Sequence, residues 1–258
     1  MSRIALVIIV ALAFASVGCG GGGSSKPNHE ESQGAQQILA DVAHALANVK
    51  SFHISGSEDD KDGHLTITGD VALPGKMHFV LNQGAQRIEV TVVGGDAYLK
   101  GNLPFWQKSA PKVGTLLANK WVKVPAASTP GFASLTVLAD PALIGACFVE
   151  AHLGTLARGG KTTVAGKPVI VVIDKGDRPG SEPGRLYVAT RGEPLPVRAE
   201  QTGPQAPGGK PNARCHETAD DVRNTATKSR IDFSAYDEKV DISPPSGALD
   251  FSRLAKPA

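Results

Sequence analysis

The sequence predicts an α+β fold: a strongly curved antiparallel β-sheet, a half-barrel, with one helix before it and others inserted midway to cover its concave face. Three observations lead there. Gly166–Thr202 reads as three strands of an antiparallel meander, Phe52–Lys100 as five more, and Gly101–Leu156 between them is mostly helix and loop. Roughly ten strands in a single sheet tend to curl or split, and helices seated inside the curl give a half-barrel.

Gross composition narrows the function classes. A chain of 258 residues is ample for one large domain with a substantial core. Its 27 Lys and Arg stand against 25 Asp and Glu, so it lacks the basic stripe that nucleic acid demands. Aromatic residues make up only 5% of the chain, too few for platforms that stack bases or sugars.

Residues 1–19 read as a targeting segment. Arg3 supplies a short positive region, and Ile4–Ala15 is an apolar run of the length found in signal peptides. That run is too short to span a bilayer. It ends at Ser16-Val17-Gly18-Cys19, which resembles the bacterial lipobox, in which the cysteine is lipidated and becomes the mature N-terminus. Ser16 stands where that motif usually carries leucine, so an ordinary secretory signal with an incidental cysteine is the competing reading. Gly20–Ser25 and the polar residues after it cannot pack, and they suit a tether. The expected organisation is therefore a lipoprotein signal peptide over 1–19 with palmitate on Cys19, a flexible tether over 20–35 and one folded domain over 36–258.

Export sets the chemistry of the remaining cysteines, Cys147 and Cys215. In an oxidising compartment the leading expectation is a disulfide between them, worth about 4 kcal/mol on the chain-entropy model. A zinc site using His152 and His216 is the alternative, but neither Cys–His pair has a standard zinc-ligand spacing.

Taken in order, Gln36–Lys50 carries Ile38, Leu39, Val42, Ala45, Leu46 and Val49 at helical spacing, one amphipathic helix for the sheet to receive. Phe52–Ser57 and Leu65–Leu73 are the first two strands. The acidic link Glu58–Gly63 between them fits an Asp-Gly turn better than a calcium loop, whose twelfth position would be Gly69 rather than a carboxylate. Met77, Phe79 and Leu81, then Ile88, Val90 and Val92, alternate along the next two strands, and Ala97–Lys100 forms a fifth.

The period then changes. Leu103–Trp106 reads as an apolar loop, Val113–Leu117 as a short helix and Trp121–Val124 as a short strand. Phe132–Ala139 and Pro141–Leu156 read as helices, the second capped by Asp140. Thr162–Ala165 resumes the sheet. Val169–Ile173 is a continuous β-branched run, the sign of a strand covered on both faces. Leu186 and Val188, then Leu195, Val197 and Ala199, alternate along its partners. Gly203–Asn212 is a Pro/Gly loop, Lys228–Phe233 the last strand, and an irregular tail follows Pro244–Pro245.

The order and phrasing of these segments resemble the mycobacterial LppX/LprG-type lipoproteins, which share a half-barrel related to the LolA and LolB lipoprotein carriers. The resemblance runs through the lipobox, Val49-Lys50-Ser51-Phe52-His53, Asp96-Ala97-Tyr98-Leu99-Lys100 and Trp121-Val122-Lys123-Val124. It continues through Gly184-Arg185-Leu186-Tyr187-Val188, Leu195-Pro196-Val197-Arg198-Ala199-Glu200 and Ile231–Tyr236 to Val240-Asp241-Ile242. It implies a hydrophobic cavity between the concave sheet face and the helices, holding acyl chains of an envelope lipid or glycolipid. The residues expected to line that cavity are Ile67, Val71, Phe79, Leu81, Val90, Val92, Leu117 and Val171.

The implied role is a non-catalytic, cofactor-free lipid carrier, monomeric and held to the cell membrane by its lipidated N-terminus on the periplasmic or cell-wall side, with a membrane transporter as a further partner. An envelope sensor or protein-binding module on the same half-barrel is the alternative. An enzyme is disfavoured, because the chain has no Gly-x-Ser-x-Gly elbow, no His-Glu-x-x-His and no phosphate loop. The acidic pairs Glu30-Glu31 and Asp220-Asp221 sit in polar settings and read as solvated.

Overall fold

A computed structural model describes residues 26–60, 63–126, 136–149, 152–217 and 227–251. The expectations for Cys19, for the tip of the acidic link and for Asp220-Asp221 fall outside these residues.

Helix α1 (Ala35–Leu46) buries Ile38, Leu39, Val42, Ala45 and Leu46, the stripe that its spacing predicts. It stops four residues short of Lys50. The amides of Asn48 and Val49 reach back three residues, to Ala45 and Leu46, tightening the last turn before the chain extends. Five hairpin-linked strands follow: β1 (Ser51–Asp60), β2 (Gly63–Ala72), β3 (Lys76–Gln83), β4 (Gln86–Val93) and β5 (Asp96–Gly101).

Leu103–Trp106, read as a loop, begins α2 (Leu103–Ser109). Asn102 caps it by accepting from the Phe105 amide at 3.1 Å, and Pro104 sits in its first turn. Helix α3 (Gly114–Leu117) and β6 (Val122–Pro125) come next. The long helix expected over 141–156 is instead a π-helical turn, Gly145–Val149, and Leu156 already belongs to β7 (Leu156–Val164). Asp140 does cap the start of this segment, accepting from the Ala142 amide at 2.8 Å. The sheet then runs through β8 (Lys167–Lys175), β9 (Pro183–Ala189), β10 (Pro196–Gln201) and β11 (Lys228–Ser234) to β12 (Leu249–Asp250), a strand within the expected irregular tail.

All twelve strands form one sheet in the order β12-β6-β5-β4-β3-β2-β1-β11-β10-β9-β8-β7. Every pairing is antiparallel except β12 on β6. Two meanders therefore grow from opposite edges and join where β1 meets β11, with Ile54 opposite Phe233. The sheet is not closed, and it forms the half-barrel expected from the sequence. Register puts one set of side chains on a single face across seven neighbouring strands: Val122, Leu99, Val90, Phe79, Gly69, Ile54 and Phe233 share rungs. Gly69 is a requirement of that face. A Cβ there would lie 2.4 Å from the Phe79 ring, so its absence lets the ring lie over β2.

Helix α1 packs on the π-helical turn and on β7 and β8, whereas α2 packs on β4 and β5. The β8 run is covered on both sides, as its composition predicts. Ile170 and Val172 belong to the main core, and Val169 joins Val164 and Val197 in a small cluster on the outer face. Among the described residues no helix is long and apolar enough to cross a membrane.

Within the stretch assigned to a tether, Pro27–Gln33 is fastened to the domain. Pro27 bridges Arg191, and the Asn28 side chain donates to the carbonyls of Ala189 at 2.9 Å and Gly192 at 3.0 Å. Glu31 takes Lys161 at 2.8 Å, while Arg158 donates to the Glu31 carbonyl. Between these contacts Glu30 is only 5% exposed, and its Oε2 has no hydrogen-bond partner. Glu30 is thus buried rather than solvated. Burial, and then the Asp41 carboxylate of α1, push its pKa from 4.5 up to about 7.

A raised carboxyl pKa favours the protonated form in the folded state. Its contribution to stability is complete below pH 4.5 and is lost as pH rises through about 7. The Glu30→Gln variant should therefore match the parent Tm in acid and exceed it above neutrality. Thermal melts of both proteins across that range check this; a constant Tm difference would refute the assignment.

Candidate functional site

The inner face is covered unevenly. Around the middle of β2–β5 it is packed solid: Val71, Phe79, Val90 and Leu117 are 0% exposed, leaving no void of water size against them, whereas Ile67 and Leu81 are partly buried. Over β8–β11 it is not. There a cavity of about 350 Å³ lies between the sheet and the segment formed by α1, the π-helical turn and the approach to β7.

Strand alternation explains the apolar wall of this cavity. Val172, Leu186, Ala199 and Ile231 occupy successive rungs of β8, β9, β10 and β11 on the inner side. Leu39 of α1, Val149, Leu153 and Leu156 oppose them. Leu153 and Leu156 are held by a turn whose two central amides are both bonded to carboxylates. Gly154 donates to both Asp174 oxygens, at 3.1 and 2.9 Å, and Thr155 donates to Asp177 at 2.6 Å. That bond holds the Asp177 carboxyl below the usual range.

At one end the wall turns polar, with Asp174, Glu58, Glu182, Gln201 and Ser229. Arg185 and Glu200 also border the cavity, but alternation sends their side chains outward. On the outer face Tyr187 donates to Glu200 at 2.7 Å, and Arg198 lies between Glu200 and Asp232. Burial and that hydrogen bond raise the Tyr187 pKa.

None of the eight residues expected to line a cavity borders this one. Ile67, Val71, Phe79, Leu81, Val90, Val92 and Leu117 do gather on the inner face, in or against the main core. Val171 does not join them: it lies on the outer side of β8, beside Gly159 of β7, and Val172 faces inward. A run of five apolar residues carries no alternation from which to read its facing. The residues missed, Val172, Leu186, Ala199 and Ile231, were legible as strand residues. Which rungs would be left uncovered depended on where the helices end.

Cys147 and Cys215 form the expected disulfide, closing a sequence separation of 68. It joins the π-helical turn to the short 3₁₀ turn Ala213–Cys215. His152 pairs with Glu217 at 2.7 Å, and Glu217 also accepts from the Asn212 amide, so His152 and the cysteines make no zinc site. The Gly203–Asn212 loop is tied down as well: Gly180 donates to the Ala206 carbonyl at 2.9 Å, and Ala206 to the Ser181 carbonyl. One wall of the cavity is thus stapled to the segment that follows β10.

The structure superposes on LprF from Mycobacterium bovis with a TM-score of 0.52, over 86% of this chain and all of LprF, at 17% identity. The Mycobacterium tuberculosis lipoprotein LppX gives a TM-score of 0.45 over 81% of this chain and 99% of LppX, at 13% identity. The LprF match shows that this chain has the LprF fold. No protein-family model matches the sequence, and neither does any curated protein sequence.

Replacing both Cys147 and Cys215 by serine should cost about 4 kcal/mol if the unfolded chain carries the whole effect. Urea unfolding under oxidising conditions would show it as a lower midpoint than the parent's. An unchanged midpoint would mean that the disulfide does not constrain the unfolded chain.

Proposed function

We propose that this protein is an exported, membrane-anchored lipoprotein that takes the acyl portion of an envelope lipid into the cavity beside β8–β11 and carries it between membranes. The cavity between the inner sheet face and α1, in a chain with the LprF fold, is the observation that carries this reading. Its volume lies at the lower end of the roughly 300–1,000 Å³ of small-molecule pockets, and its mixture of apolar wall and polar end suits an amphiphile.

In this reading the tail enters between Leu39 and Leu156 on one side and Val172, Leu186, Ala199 and Ile231 on the other. Each methylene withdrawn from water contributes about 0.8 kcal/mol, less the cost of ordering the chain. The head group stays at the polar end beside Asp174. No bond is made or broken, so transfer needs no catalytic group and no cofactor. Ile67, Val71, Phe79, Leu81, Val90, Val92 and Leu117 serve as the packed continuation of this apolar face. Cys19, lipidated after cleavage of residues 1–19, keeps the carrier at its donor membrane, and a transporter there would load it.

Native mass spectrometry of the purified protein, followed by extraction, tests the reading. A stoichiometric adduct with the mass of an acylated lipid, passed to acceptor vesicles on incubation, is the expected result. A bound lipid that never exchanges would favour a sensor. A clean apo mass with no uptake would remove lipid binding altogether.

A further inference from the structure

The cavity's size and the chemistry of its polar end restrict the cargo further than the fold does. We infer that this site takes a single-chain amphiphile whose head group donates hydrogen bonds and carries no negative charge. This rests on the acyl-binding reading above.

Size sets the number of chains. A methylene takes about the volume of a water molecule, roughly 30 Å³, so a cavity of about 350 Å³ holds on the order of a dozen methylenes. Two chains of ordinary lipid length do not fit. The space cannot extend past Val71, Phe79, Val90 and Leu117 without repacking, because these residues have no exposed surface. Expansion past the π-helical turn is opposed by the Cys147–Cys215 staple.

Charge sets the head group. Asp174 is on the inner face, on the Leu156 and Gly184 rungs, and its oxygens accept from the Gly154 and Gly176 amides. Those bonds fix a carboxylate at the cavity's polar end without cancelling its charge. Glu58, on the same face, and Glu182 border the same end. The one cation among the described lining residues, Arg185, is on an outward position of β9. An anionic head group would approach the fixed Asp174 carboxylate in a site partly withdrawn from solvent, where like charges cost most. A hydroxyl or amine would instead donate to it.

The test is a binding series on the delipidated protein, followed by displacement of a fluorescent fatty-chain probe at low salt. The ligands are monoacylglycerols, alkylamines and fatty acids of graded chain length, with a diacyl phosphatidylglycerol. Affinity should rise with each methylene up to about twelve carbons and then level off. At equal length, monoacylglycerols, alkylamines or both should bind roughly tenfold or more tighter than fatty acids. Which of the two donors binds tighter separates an uncharged from a cationic cargo.

Added salt should narrow the preference over fatty acids, and Asp174→Asn should narrow it further. The salt arm uses the parent protein and stands even if that variant fails to fold. Equal or tighter binding of fatty acids, no plateau in chain length, or tight binding of the diacyl lipid would each overturn this inference while leaving acyl binding intact. No binding by any probe would overturn both.

Discussion

The rest of the structure depends on one constraint: a broad apolar sheet face that, among the described residues, a few short helices cover. Period-2 alternation along β1–β5 and β8–β11 sends Phe52, Ile54, Phe79, Val90, Val172 and Leu186 to the same side. Leaving that face in water would cost far more than the few kcal/mol by which folded proteins are stable. Curling the sheet shrinks the face, and α1, α2, α3 and the π-helical turn cover what is left. They cover most of it over β2–β5, where Trp106 and Leu117 fill the concavity and Ile67 and Leu81 stay partly buried, and less of it over β8–β11. The candidate site is that shortfall.

The opposite face has its own logic. Its residues are hydrogen-bonded and paired in cross-strand sets, such as His53 with Asp70 at 2.7 Å and Arg198 with Asp232 at 2.6 Å. Such pairs contribute modestly to stability in solvent. They do fix register, and a one-residue slip in any strand would place a charge against Phe79 or Val172. The outer face is therefore what keeps the inner one uniformly apolar. The exception is the end bearing Glu58 and Asp174, where carboxylates lie on the inner side and give the cavity its polarity.

The fold was largely legible in the sequence, because strand alternation and turn glycines are local signals. The five-strand series, the meander of β8–β10 and the β11 strand stand where the residues put them, and the half-barrel follows from their number. Less was legible where tertiary contacts decide. Pro141–Leu156 has helical spacing, yet the backbone of Gly145 lies against Ala43 of α1 and Cys147 is bonded to Cys215, and the described residues there form the π-helical turn Gly145–Val149. Glu30 reads as a solvated acid, yet lies buried beside α1 because Asn28 and Glu31 fasten its neighbours to the sheet. The expected cavity lining ran along β2–β4 with Leu117 and Val171. Phe79 and Leu117 fill that space, and the opening lies instead between Leu39 of α1 and the rung of Val172, Leu186, Ala199 and Ile231.

A crystal structure of the protein grown with a dodecyl-chain amphiphile would test this account most directly. The account predicts an alkyl chain lying between α1 and β8–β11, against Leu39, Val172, Leu186 and Ile231, with its head group beside Asp174. A chain lodged instead between α2 or α3 and the β2–β5 face, against Phe79 and Leu117, would contradict it, as would a cavity that stays empty.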